Sequence, residues 1–146
     1  MSEREIIKQL RRRVDKDEYK KIRQEWKTHS IAEDGRDIPG LMSTLTEDCV
    51  YTVVNTGTSW NGKAGATQFY QQLLTAFPDI HFDLQHIVIG PQGVFEEANV
   101  TATYQSQWLD MPPPTAKPIE FTVTILFPWN AKQRLFTGER IYFYMK

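Results

Sequence analysis

A single cysteine, Cys49, is the chain's whole stock of thiol. One thiol cannot close an internal disulfide, and a reducing compartment is the expected setting. Long apolar runs are missing too: none approaches the ~20 residues of a membrane-spanning helix. The opening stretch, MSEREIIKQLRRR, is charged throughout and lacks the apolar centre of a secretory signal. Neither sign of charge is in excess. The formal net charge is -1, so no whole-molecule field draws in nucleic acid or an anionic membrane. The cytoplasm is the expected address, with neither nucleic acid nor membrane as partner. Glycine-rich phosphate loops, Walker motifs and nucleophile elbows are absent. His81, His86 and Cys49 make no metal-binding spacing, and the two histidines, five apart on one strand, are expected on opposite faces. No metal site and no cofactor are expected.

What is present suits one globular domain. The chain has 146 residues, of which 40% are hydrophobic and 24% charged. A chain of this size buries roughly 68–70% of its unfolded surface and needs no staples. Ile6, Leu10 and Val14 recur every fourth residue and predict a helix over 2–14. Tyr19, Ile22, Trp26 and His29 predict a second, or a bent continuation of the first, with Asp17 able to cap it. Glu33 to Arg36 reads as a turn. Asp37 caps a short helix with Pro39 in its first turn. Residues 63–76 are helical, stopped by Pro78. The remainder is β-rich. Cys49 to Val54 and Phe82 to Ile89 read as strands, with turn signals on either side of Trp60. Val94 to Trp108, Ile119 to Phe127 and Leu135 to Met145 follow, with a proline loop at 112–114. Phe121, Val123, Ile125 and Phe127 alternate with polar neighbours and mark one buried face. Helices first and a strand meander last is an α+β order.

Residues 99–106, Asn-Val-Thr-Ala-Thr-Tyr-Gln-Ser, mix small apolar and polar side chains. Two readings stay open. The strands line a partly hollow interior fit for a small molecule, or the threonines 101, 103, 122 and 124 face solvent.

Four segments carry a family resemblance. They are Trp26-x-x-His29 with Ala32-Glu33; Trp60-Asn61-Gly62 with Phe69-Tyr70 and Ala76-Phe77-Pro78-Asp79; Trp108-x-x-Met111-Pro112-Pro113 with Thr115; and Gly138-Glu139-Arg140-Ile141-Tyr142. In order and spacing, from about Trp26 to Tyr144, the chain resembles the SnoaL-like polyketide cyclase group of the nuclear-transport-factor-2-like superfamily. The resemblance implies a cone-shaped curved mixed sheet, a cystatin-like roll, covered by about three N-terminal and central helices. Residues 1–16 would be a helical extension and 17–146 the cone domain. It further implies a pocket in the mouth of the cone and, commonly, a homodimer through the outer sheet face. The superfamily spans cyclases, isomerases, dehydratases and non-catalytic binding modules, so fold does not give function. This chain departs from the pattern at Ala102-Thr103-Tyr104, at Tyr144 and at Ile141. Ile141 stands where the cyclases place an acid/base aspartate, and Glu139 is the nearest carboxylate.

Glu139 shares a strand face with Ile141 and Phe143, and Arg140 and Tyr142 point away. In an apolar pocket Glu139 would serve as a general acid or base; the alternative is a salt bridge to a neighbouring strand. His29, on its apolar stripe, is the second catalytic candidate, against a role as a satisfied core histidine. Glu96 and Glu97 are adjacent on a strand, so one of them faces inward; Glu97 is assigned to substrate binding, against a routine strand-edge charge. Tyr51, Trp60, Tyr104, Trp108 and Tyr142 are expected to wall a flat ligand, with Tyr104 able to polarise an oxygen; core packing is the alternative. The expected partner is a small apolar or aromatic molecule. The expected function is its binding, with cyclisation, isomerisation or dehydration by proton transfer. The alternatives are a carrier or sensor and a protein-interaction scaffold.

Overall fold

Short polar side chains decide where the helices begin. In a computed structural model describing residues 1–145, Ser2 accepts from the Glu5 amide while the Glu5 carboxylate takes the Ser2 amide. That reciprocal cap starts α1, Glu3–Leu10. Asp15, not Asp17, caps α2, Lys16–Asp34, by accepting from the Glu18 amide at 2.8 Å. The expected turn at 33–36 therefore begins two residues late. Asp37 caps α3, Ile38–Met42, as its position predicts. α4, Gly62–Ala76, ends two residues before Pro78. The described residues thus carry four helices: α1 in the expected N-terminal extension and three more, as the sequence reading expects. α1 buries no residue and is tethered through Arg12 to the Pro91 carbonyl and through Gln9 to Gln92. No helix of the described residues is long and apolar enough to cross a membrane.

The strands are β1 Leu45–Val53, β2 Thr58–Asn61, β3 His81–Gly90, β4 Gly93–Thr103, β5 Pro118–Asn130 and β6 Leu135–Met145. They form one curved, unclosed sheet in the order β2-β1-β6-β5-β4-β3. Only β1 and β6 pair in parallel; the other neighbours are antiparallel. Trp60 sits within β2, so the segment between two turn signals is a short strand. β4 stops at Thr103, well before the expected Trp108. There Asp79 takes both the Thr103 amide and its hydroxyl, each at 2.6 Å, and turns the chain out of the ladder. Gly138 has φ +127°, and a Cβ there would overlap the Val50 carbonyl. Only glycine lets β6 approach β1 so closely at the residue before Glu139.

Phe121, Val123, Ile125 and Phe127 all point into the core, as their alternation predicts. On β4 the inward residues are Val94, Glu96, Ala98, Val100 and Ala102. Thr101 and Thr122 lie on the outer face, and Thr103 is occupied at the strand end by Asp79. The hollow-interior expectation is corrected here. Much of the cone is occupied by Phe69, Phe77, Phe121 and Trp108, joined by ring-to-ring contacts. Each such ring contributes about 1.5–3 kcal/mol by leaving water.

Candidate functional site

His29 enters the core because α2 packs its Ile22 side over the sheet, and Glu139 enters because the strand period turns it inward with Ile141. Both side chains are only 2% exposed. Thr44 donates its hydroxyl proton to the Leu41 carbonyl at 2.7 Å. Its oxygen is thereby left to accept from His29 Nδ1 at 2.8 Å, which places a proton on Nδ1. His29 Nε2 then faces Glu139 Oε2 and the Tyr70 hydroxyl, both at 3.1 Å. Tyr70 donates to Glu139 Oε2 at 2.6 Å, and its oxygen lies 2.8 Å from the Tyr51 hydroxyl.

A proton count follows from these bonds. With the Tyr70 proton on Glu139, the contact between Nε2 and Oε2 needs one more, shared between imidazole and carboxylate. Burial, then the charge of Glu139, push both phenols far above their ordinary range, so Tyr51 and Tyr70 act as fixed donors.

Two further carboxylates face this network. Glu33 lies one helical turn after His29, and one ligand atom each from His29, Glu33 and Glu139 fall within 4.8 Å of one another. Burial, followed by repulsion from Glu139 and Glu96, drives its carboxyl well above the usual range. Glu96, on the inward face of β4, is pushed up to about 8 by burial and then by Glu139. Sequence reasoning missed both, and Tyr70 as well. The His29–Glu33 spacing of four on one helix was the available signal for Glu33. The strand parity of Glu96 was undecidable until the register was known.

The other expected residues are dispersed. Glu97 points outward and faces His86 at 3.2 Å, so the inward member of the pair is Glu96. A bulge between Leu84 and His86 puts His81 and His86 on the same outer face, opposite Thr101 and Glu97, which corrects their expected separation. Tyr142 also lies on the outer face, beside Thr124. Tyr104 is a loop anchor rather than an oxygen-polarising group: its hydroxyl donates to the Pro112 carbonyl and accepts from the Trp108 amide. Tyr51 lies in the hydrogen-bond network. Trp60 and Trp108 stack in parallel, centroids 6.2 Å apart, with Trp60 Nε1 bonded to Gln72.

Two spaces adjoin these groups. One, lined by Glu33, Glu139, Phe69, Ile125 and Phe143, holds only about 10 Å³, the size of one water. The other is a mainly apolar cleft of about 200 Å³ at the mouth, lined by Val53, Asn55, Trp108, Met111 and Phe143 among others. Phe143 borders both. The Nε1–H of Trp108 is buried with no partner among the described residues.

Comparison with known proteins bears on the architecture. A family model described as SnoaL-like domain matches residues 27–134. No curated protein matches by sequence. Among solved structures, a candidate SnoaL-like polyketide cyclase from Jannaschia is similar with a TM-score of 0.76 at 13% identity, covering 90% of this chain and 91% of its own. A candidate polyketide cyclase from Xanthomonas campestris gives 0.68 at 17% identity, covering 86% and 91%. A candidate ketosteroid isomerase from Kribbella flavida gives 0.62 at 14%, covering 88% and 81%. Identities this low establish a shared fold.

Proposed function

The chain belongs to the SnoaL-like domain family, and from that footing we propose that it binds a small, mostly apolar molecule and moves a proton on it. Glu139 and His29 are the acid and base, acting on a carbonyl or hydroxyl compound in cyclisation, isomerisation or dehydration. The observation that carries this reading is the 3.1 Å contact between two fully buried groups, His29 Nε2 and Glu139 Oε2. The mouth cleft is the entry, with Trp108 and Phe143 as its aromatic walls and the free Trp108 Nε1–H as a donor for a ligand oxygen. Reaching Glu139 from there requires Phe143 to swing aside. A reducing cytoplasmic setting fits the single buried thiol of Cys49.

The test uses a panel of small ketones and enols in deuterated water, with exchange at carbon followed by NMR. The native chain is expected to exchange at least one member. Glu139→Gln should slow that exchange by about 100-fold or more, with an unchanged thermal transition as the folding control. Undiminished exchange in the variant removes Glu139 from the chemistry.

One observation favours a second reading, a non-catalytic carrier or sensor. The space beside Glu139 is about 10 Å³, too small for substrate without rearrangement. A compound that raises the thermal transition and is recovered chemically unchanged supports that alternative. Either reading accommodates a homodimer. Val88, Phe95 and Tyr144 are 64%, 44% and 54% exposed on the outer sheet face, an apolar area of the kind that pairs.

A further inference from the structure

We infer that His29 Nε2, Glu33 and Glu139 form a binding site for a divalent first-row transition cation. The site uses the same Nε2 and Oε2 atoms as the proton-transfer reading, the ion taking the place of a proton between them, and its binding test does not depend on that reading. Two ligand atoms held about 2.1 Å from one ion lie about 3.0–3.4 Å apart. His29 Nε2 and Glu139 Oε2 are already 3.1 Å apart, and Glu33 completes a set within 4.8 Å. Closing the three around an ion takes side-chain shifts of about 1 Å or less.

The imidazole is prepared for this role. A metal-binding histidine commonly fixes its tautomer by donating the other N–H to a bonded oxygen. Here Nδ1 donates to Thr44, itself held by the Leu41 carbonyl, and Nε2 is turned to the Glu139 carboxylate, where an ion would take the place of the shared proton.

A separate observation points to a cation rather than to a self-sufficient acidic cluster. Glu96 is 9% exposed, faces inward on β4 and makes no hydrogen bond among the described residues. Its register partner Ile125 lines the same space as Glu33 and Glu139. No lysine or arginine of the described residues forms an ion pair with Glu33, Glu96 or Glu139. A divalent ion at the centre supplies positive charge within reach of all three ligands, with Glu96 as a further negative neighbour. The mixed nitrogen and carboxylate set favours manganese, iron, cobalt or zinc over calcium or magnesium. One or two further positions on the ion would be open to water.

Equilibrium dialysis of the chelator-stripped full chain against Co²⁺ and Zn²⁺, with metal counted by mass spectrometry, tests the site without any substrate. One ion per chain is expected, with visible Co²⁺ absorption bands from a nitrogen and oxygen shell. Glu33→Gln and His29→Gln should each weaken binding at least about tenfold, and Glu97→Gln on the outer face should leave it unchanged. Circular dichroism melts confirm that each variant is folded; should His29→Gln fail to fold, Glu33→Gln alone decides. Less than about a tenth of an ion per chain, or equal binding in Glu33→Gln, overturns the site. Exchange at carbon by the stripped chain is read separately, so loss of the metal site leaves the proton-transfer reading standing, and the reverse holds as well.

Discussion

At the scale of single residues, the site is a problem of charge held out of water. Glu96 has its pKa raised to about 8 by burial first and by Glu139 second, and Glu33 is raised by burial and by both neighbours. A raised carboxyl is protonated in the native state while it ionises near 4.5 in the unfolded one. Native protein then binds more protons between those limits, so stability must fall as pH rises from about 4.5 to about 8. The part due to Glu96 has a slope of at most about 1.4 kcal/mol per pH unit. Urea unfolding of the metal-free chain at several pH values from 5 to 9 should show this decline, and Glu96→Gln should flatten it. A native profile that is level across that window contradicts the burial of a protonated Glu96. Part of this chemistry was legible in the sequence. Glu139 and His29 stand out because their apolar neighbours recur at strand and helix periods. Glu96 and Tyr70 do not, because strand parity at two adjacent glutamates is ambiguous and a buried tyrosine reads as core until its hydroxyl finds a partner.

Among the elements, the helices and strands were largely readable from caps and periods, and the misses share a cause. The end of β4 was read too late, at Trp108, and no strand was read at Trp60, because long-range bonds decide both: Asp79 ends β4 at Thr103, and β1 recruits Trp60 into β2. The His81 and His86 faces were misjudged because a bulge leaves no mark in local composition. The same dependence on distant contacts makes Gly138 a sensitive position. It combines φ +127° with a carbonyl where a Cβ would stand. Gly138→Ala should destabilise the fold by more than about 2 kcal/mol, measured as a lowered urea midpoint. It should also disturb Glu139, the next residue. A variant as stable as the native chain refutes the close approach of β6 to β1.

For the molecule as a whole, the concave side of the sheet is filled and the convex side is open. Phe95, with Val88 opposite it in register, lies on that convex surface. If two chains pair there, Phe95→Glu should convert dimer to monomer in sedimentation at micromolar concentration while leaving the melting profile of each chain recognisable. A native chain that sediments as a monomer at all accessible concentrations removes the pairing.

β6 comes last along the chain yet lies inside the sheet, between β1 and β5. Until residues 135–145 emerge from the ribosome, the early β1–β2 hairpin and the later β3–β4–β5 meander have nothing to join them. His29 likewise waits for a partner 110 positions downstream. Assembly of the molecule is therefore a late, all-together event with a high contact order. A chain cut short before β6 would hold a helix with no sheet to cover, an unpaired strand edge and no site at all.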